Sequence, residues 1–299
     1  MKTFTIKQVV ADICGVKVGG QMGENPTCII PSIFYDKHKI VADSKKGDFD
    51  RQQAEALINQ AQVLSDRTGN PLFIDIMGLT VEALSKYVSF VAEHTSVPFL
   101  VDSVSRDAKL EALKQIHSVG LTSRVIYNSI NYLTTAQELE ALRDWGVESA
   151  VVLAFDPKKP FGGRESGLPN LLKSAETAEI NNILVDTAVL EVTSMSAAAN
   201  SIWAVKERFG LPSGCAPANA ISMWRRLKTG EFGAEARRVC LGASALYMQI
   251  MGANFVISGP IEYADAAFSA CAMADSIIAA EAQSQGAKIS PSHPIFRIF

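Results

Sequence analysis

The 299 residues of this chain carry 28 Lys and Arg against 31 Asp and Glu, a formal net charge of -3, and 48% of them are hydrophobic. Scattered basic residues in a slightly acidic chain leave no electrostatic footprint for nucleic acid or for an anionic membrane, so neither partner is expected. The length and apolar content suffice for one sizeable core, and residues 1–299 are read as a single domain.

The N-terminus, MKTFTIKQVV, lacks the apolar run of a signal peptide, and no stretch of 18 or more apolar residues occurs, so a cytoplasmic protein is expected. Residues 1–27 include VVADICGVKVGG, which alternates like a hairpin laid ahead of the main domain and closing its N-terminal end. A repeating unit then begins: a short apolar, β-branched run, a polar residue near its end, a turn, and a stretch of helical period. The runs are CIIPSIFYD (28–36), LFIDIMG (72–78), FLVDSV (99–104), SRVIYNSIN (123–131), SAVVLAFD (149–156), NILVDTAVL (182–190), the weaker LPSGCAPAN (211–219), and NFVISGPIE (254–262). Between them lie DRQQAEALINQAQVLSDRTG, TVEALSKYVSFVAEHT, DAKLEALKQIHSVG and AQELEALRDWG, with apolar residues at three-and-four spacing and frequent glycine stops. Strands that are apolar throughout are buried on both faces, as in a parallel sheet covered by helices. Eight such units predict an α/β fold, a (β/α)₈ TIM barrel, whereas a doubly wound sheet would carry a glycine-rich phosphate turn after its first strand.

The active site of such a barrel forms at the C-terminal strand ends, which singles out Asp75, Asp102, Asn128, Asp156, Asp186 and Asn219. Each of these has an ordinary alternative: Asp or Asn after a strand commonly caps the next helix or closes an Asx turn, and Asp156 before Pro157 looks most like a turn residue. Asp75, Asp102 and Asp186, however, stand inside apolar runs, where an unpaired carboxylate costs several kcal/mol. Converging on one mouth, they describe a cavity lined by acceptors and poor in Lys and Arg. That composition argues against a phosphorylated substrate, with SGPIE only a weak phosphate site, and no strand lysine offers a Schiff base. A neutral, donor-rich heterocycle such as a pterin suits it.

Cys14, Cys28, Cys215, Cys240 and Cys271 are far apart with apolar neighbours and are read as reduced core residues. His38, His94, His117 and His293 are equally dispersed, so no protein-bound metal is expected.

Across nearly the whole chain, VKVGGQMGENPTCIIPSIFYDKHKIV, FLVDSVSRD, VIYNSIN, ILVDTAVLE, GCAPANAI and ISGPIE resemble the H subunit of tetrahydromethanopterin S-methyltransferase and its stand-alone bacterial relatives. The family is similar to the pterin-binding barrels of methyltetrahydrofolate:corrinoid methyltransferases. The resemblance implies that Asp102, Asn128 and Asp186 grip the amino and amide edges of the pterin, joined by Asp75, while Asn219 faces N5. It also implies a corrinoid (cobalamin) held on a carrier protein. Small neighbours Gly214, Ala216, Ala218 and Ala220 would then leave room for the corrinoid face. The leading expectation is methyl transfer from a methyl-Co(III) corrinoid protein to N5 of tetrahydrofolate. The alternatives are a tetrahydromethanopterin-linked subunit, or a non-catalytic subunit that docks the corrinoid protein. A zinc-dependent thiol methyltransferase would need a His and Cys cluster, and dihydropteroate synthase would need cations for its diphosphate leaving group.

Two loops read as partner surface for the carrier or a glutamate tail, against the ordinary reading of solvated polar loops: DKHKIVADSKKGDFD, and DPKKPFGGRESGLPN after the fifth run. Small residues in DAAFSACAMADSIIAA suggest close packing, either within the barrel or across a homodimer.

Overall fold

The computed structural model describes residues 3–158 and 164–299. In chain order its strands are β1 (Val10–Ile13), β2 (Val16–Gly19), β3 (Cys28–Ile33), β4 (Val41–Asp43), β5 (Asp48–Phe49), β6 (Ile74–Met77), β7 (Phe99–Asp102), β8 (Val125–Ile130), β9 (Ser149–Leu153), β10 (Asn182–Asp186), β11 (Ser213–Cys215) and β12 (Phe255–Pro260). The helices are α1 (Arg51–Thr68), α2 (Val81–His94), α3 (Arg106–Ser118), α4 (Ala136–Asp144), α5 (Leu168–Thr177), α6 (Ser194–Phe209), α7 (Ala218–Met223), α8 (Arg225–Lys228), α9 (Ala236–Ile250) and α10 (Ala264–Ser284). Strands β3, β6, β7, β8, β9, β10, β11 and β12 close into one parallel barrel in that order, the (β/α)₈ fold expected from the repeat.

Local chemistry starts and stops the helices. Asp50, Thr80 and Ser105 each accept the backbone N–H three residues on, and Thr135 with Glu138 forms a capping box at α4. Gly69 and Gly210 end α1 and α6 at φ 79° and 66°, in the left-handed region that favours glycine. These caps lie well beyond the strand-end carboxylates, which are therefore not spent on capping.

Side chains alternate across each strand, and the two faces have separate cores. Ile29, Ile74, Ile76, Val101, Tyr127, Val152, Val185 and Val256 pack outward against the helices. The opposite parity, Cys28, Ile30, Phe73, Leu100, Ile126, Val151, Leu184 and Phe255, fills the barrel interior. Ala11, Ile13 and Val18 of the antiparallel β1–β2 hairpin join this inner cluster, so the hairpin seals the N-terminal end as a stopper.

The 36–50 loop is not simply solvated. It folds into the β4–β5 hairpin, tied to α2 through Thr80 Oγ1 and Lys86 Nζ on the carbonyls of Lys45 and Lys46. In the 156–170 loop, residues 159–163 lie outside the described residues. The small residues of α10 serve packing within the chain, where a Cβ on Gly242 of α9 would stand 3.0 Å from Ala266 O. All five cysteines are unpaired, but only Cys28, Cys215 and Cys271 are core residues. Cys14, in the hairpin turn, and Cys240, in α9, are half-buried at the edges of apolar clusters, which corrects the uniform core reading.

Candidate active site

Two residues beyond the inward apolar layer, the same parity presents Ser32 after Ile30, Asp75 after Phe73, Asp102 after Leu100, Asn128 after Ile126 and Asp186 after Leu184. A pleat of period two thus stacks a polar ring on an apolar floor. Four of the six sequence candidates, Asp75, Asp102, Asn128 and Asp186, come together here. The register supports this, because Asp75 lies beside Ser32, Met77 beside Asp102, and Asp102 beside Asn128.

Asp75, only 2% exposed, accepts from Ser32 Oγ at 2.7 Å and from Asn128 Nδ2 at 3.4 Å. Asp186, at 6% exposure, accepts from the Ala188 N–H at 2.7 Å. Burial pushes Asp75 and Asp186 up to about 6, and these hydrogen bonds resist the rise only in part. Asp102 is raised well above the usual carboxylate range, first by burial and then by the charge of Asp75, while Lys109 opposes the shift. The ring is a set of acceptors short of donors, and a ligand edge carrying N–H groups would stabilise their ionised forms. Among the described residues, no group of three or more His, Cys, Asp or Glu side chains is arranged to hold a metal ion.

Asn219 follows β11, the neighbour of the β10 strand that carries Asp186, so it adjoins one side of the ring. The N-cap position of α7 is Pro217 and no side chain caps the helix, so Asn219 is a first-turn residue rather than a cap. Its side chain is exposed, with Nδ2 3.5 Å from Val189 O. The small residues around it do not open the mouth as expected. Gly214, Ala216, Ala218 and Ala220 are all buried. A Cβ on Gly214 would lie 2.1 Å from Phe255 O across the β11–β12 pair. One on Gly259, at φ +82°, would lie 2.4 Å from the Ala218 Cβ. Close packing of β11 and α7 on β12 accounts for Gly214 and for the short side chain of Ala218.

Asp156 behaves as a turn residue, accepting the Lys158 N–H at 2.9 Å. A second correction concerns charge. The ring has two buried cations near it: Lys109 acts on Asp102, and Arg164, fully buried in the short 3₁₀ turn before α5, lies within electrostatic reach of Asp186 and donates to Ser194 O at 3.4 Å. Sequence reading placed it in a partner loop, since an arginine beyond a glycine pair carries no periodic signal of burial. Ser32 was also missed, although its two-residue offset from Ile30 matches the offset from Phe73 to Asp75.

Residues 6–290 match the family described as the tetrahydromethanopterin S-methyltransferase MtrH subunit. The H subunit of that enzyme from Methanothermobacter marburgensis is 39% identical over 309 residues, covering 100% of both chains. Its counterpart from Methanocaldococcus jannaschii is 37% identical over 319 residues, again covering 100% of both. Among solved structures, Xanthomonas albilineans dihydropteroate synthase in complex with 7,8-dihydropteroate aligns with a TM-score of 0.63 at 17% identity, over 90% of this chain and 98% of that one. Yersinia pestis dihydropteroate synthase with a pterine-sulfa conjugate aligns at 0.58 and 14% identity, over 92% and 100%. These structural likenesses establish a shared barrel fold, and the sequence relatives establish the family. The chain belongs to the tetrahydromethanopterin S-methyltransferase H-subunit family of methyltransferases, on a barrel fold shared with pterin-binding enzymes.

Proposed function

We propose that the chain moves a methyl group between N5 of a tetrahydropterin and the cobalt of a corrinoid carried by a separate protein. One observation carries the reading: a member of this family turns a ring of acceptors, buried Asp75 and Asp186 with half-buried Asp102 and Asn128, into the mouth of its barrel. The 2-amino and ring N–H groups of a pterin are the donors such a ring lacks. In this reading Asp102, Asn128 and Asp186 hold the donor edge, Asp75 braces Asn128, and Asn219 faces N5. An amide there can donate to or accept from nitrogen by rotation, without titrating. Transfer by in-line displacement then needs cobalt, methyl and N5 aligned, which a fixed ring edge provides.

The relatives' names favour tetrahydromethanopterin over the tetrahydrofolate expected from sequence, and a subunit of a larger assembly over a stand-alone enzyme. The loops at the mouth support a protein partner. Leu79, Val104, Tyr132, Leu133 and Leu190, from four strand-to-helix connections, and Met223 at the end of α7 are exposed there. An apolar rim around a polar mouth suits a carrier that presses its cofactor inward. No helix among the described residues is long and apolar enough to cross a membrane.

Calorimetric titration with tetrahydromethanopterin and with tetrahydrofolate tests the reading, alongside single-turnover methyl transfer with methylcobalamin. Binding of at least one pterin with measurable transfer is expected. Binding of neither would overturn it.

A further inference from the structure

A methyl transfer at N5 also moves a proton, and none of the residues assigned so far is suited to carry it. Asn219 cannot titrate, and the ring carboxyls are engaged with the donor edge. The structure holds another carboxyl on the same face. Strands β12 and β3 are neighbours, so the segments leaving their C-terminal ends emerge side by side. Glu262 follows the first and Tyr35 and His38 follow the second.

The Tyr35 hydroxyl donates to Glu262 Oε1. His38 Nδ1 accepts from the Phe34 N–H at 3.2 Å, which leaves the ring proton on Nε2, 3.6 Å from Glu262 Oε2. The His38 ring is buried and stacks on Tyr35 with centroids 4.3 Å apart. Glu262 Oε2 is itself buried and has no hydrogen-bond partner, although about a third of the side chain, 32%, is exposed. One oxygen is therefore anchored and the other is left without a bond, in a side chain that still reaches solvent. A buried acceptor of this kind calls for an explanation.

Its surroundings are defined. Arg237 and Arg238 of α9 lie over the Tyr263 ring at 5.0 and 5.5 Å, and Arg238 pairs with Asp265. Gly259, three residues before Glu262, approaches Ala218, the neighbour of Asn219. On the other side, Pro260 is in register with Ser32, the donor to Asp75. In barrel order Glu262 therefore stands between the amide assigned to N5 and the carboxylate that braces the ring.

We propose that Glu262 is the proton carrier of the methyl transfer, with Tyr35 and His38 as its positioning residues. The proposal rests on the pterin reading above. When the N5 lone pair takes the methyl, the N5–C bond forms and the Co–C bond breaks, cobalt keeping the electron pair and passing from Co(III) to Co(I). The proton on the resulting ammonium goes to the Glu262 carboxylate. In reverse, the Glu262 acid protonates N5, the N5–C pair stays on nitrogen, and Co(I) receives the methyl.

The test uses the full chain, methylcobalamin, and whichever tetrahydropterin the wild type binds. Glu262→Gln is expected to slow single-turnover transfer by roughly a hundredfold and to flatten its pH dependence, with the pterin Kd within about threefold of wild type. A second readout needs no turnover: the protons exchanged on pterin binding, from calorimetry in two buffers of different ionisation enthalpy, should differ between Glu262→Gln and wild type. Tyr35→Phe should lower the rate about tenfold with the pH dependence retained. A folded Glu262→Gln with wild-type rate and pH profile overturns the proposal, as does one whose main defect is pterin affinity. If Glu262→Gln does not fold, Glu262→Ala, which also lacks the carboxyl, replaces it, and an unchanged rate in that variant is equally decisive against the proposal. Because the wild type is measured in parallel, failure of the pterin reading itself appears separately, as absence of binding.

Discussion

The two ends of the barrel are made from the same strands and have opposite chemistry. At the N-terminal end, inward Phe73, Leu100, Ile126 and Leu184 meet the β1–β2 hairpin, and the interior is closed. A cavity of ≈ 470 Å³ lies outside that seal, beside the hairpin turn, lined by Asp12, Cys14, Arg124 and Glu148 among others. Its arginine is already engaged with the carbonyls of Ala92, Thr95 and Val97. At the C-terminal end, two residues further along four of the strands, the interior becomes a ring of three carboxyls with raised proton affinities and the Asn128 amide. One end stores stability and the other holds groups that cost stability until a ligand arrives. That division is what the TIM architecture offers: a rigid floor under a mouth whose residues can be chosen for chemistry.

The floor can be broken without touching the mouth. Phe73→Ala removes a fully buried ring from the inner layer and should cost about 3–5 kcal/mol of stability. Urea titration should show this as a lower midpoint, with pterin affinity per folded molecule little changed. Comparable loss of affinity would mean that floor and mouth are not separable.

The mouth can be relieved in the opposite sense. Asp186 is raised to about 6 from an ordinary 3.8, so its contribution to stability is complete below pH 4 and is lost as pH rises through 6. That difference is about 3 kcal/mol at most. Asp186→Asn should flatten the fall in stability between pH 4 and 7, as read from denaturation midpoints. The same variant should lose about 1.5–3 kcal/mol of pterin affinity, as should Asp102→Ala. For wild type, donors from the ligand favour the ionised carboxylates, so binding releases protons and affinity rises with pH across this window. Affinity that falls or stays level would count against the carboxyl ring as the binding edge.

Most of the fold was legible because period-two strands, helical spacing and side-chain caps are local signals. The hairpin at the sealed end followed from the alternation of VVADICGVKVGG, and the four ring residues from their place late in each apolar run. What escaped was set by contacts between distant segments. Gly214 looked like room for a cofactor, yet it is small because Phe255 O, some forty residues later, approaches it. Arg164 and Glu262 sat in turns without periodicity, and only the closing of β12 onto β3 reveals that Glu262 meets Tyr35.

Asn219 sharpens the contrast at the level of one residue. It is exposed and caps nothing, so Asn219→Ala should leave the denaturation midpoint nearly unchanged. If the amide stabilises N5 in the transition state, methyl transfer should slow by roughly ten- to a hundredfold, about 1.4–2.7 kcal/mol on the barrier, with a smaller change in binding. A variant with full single-turnover rate would remove Asn219 from the chemistry.

The smallest expected effect belongs to Asp156, which shares the mouth's address but not its orientation. It follows β9 at the same end of the barrel as Asp75 and Asp186, but its carboxylate accepts from Lys158 N at 2.9 Å and is half-exposed rather than buried. A side chain spent on an Asx turn stabilises its own loop by a neutral-backbone hydrogen bond to a charged acceptor, partly open to water. Asp156→Ala should therefore cost about 1 kcal/mol or less, and Asp156→Asn, which keeps the acceptor, less still. Neither should move the pterin Kd or its pH dependence beyond experimental scatter, because no buried charge is lost. If Asp156→Ala weakened pterin binding as much as Asp186→Ala does, position at a strand end would be enough to make a site residue. Inward parity and burial would then no longer be what separates the ring from the turn.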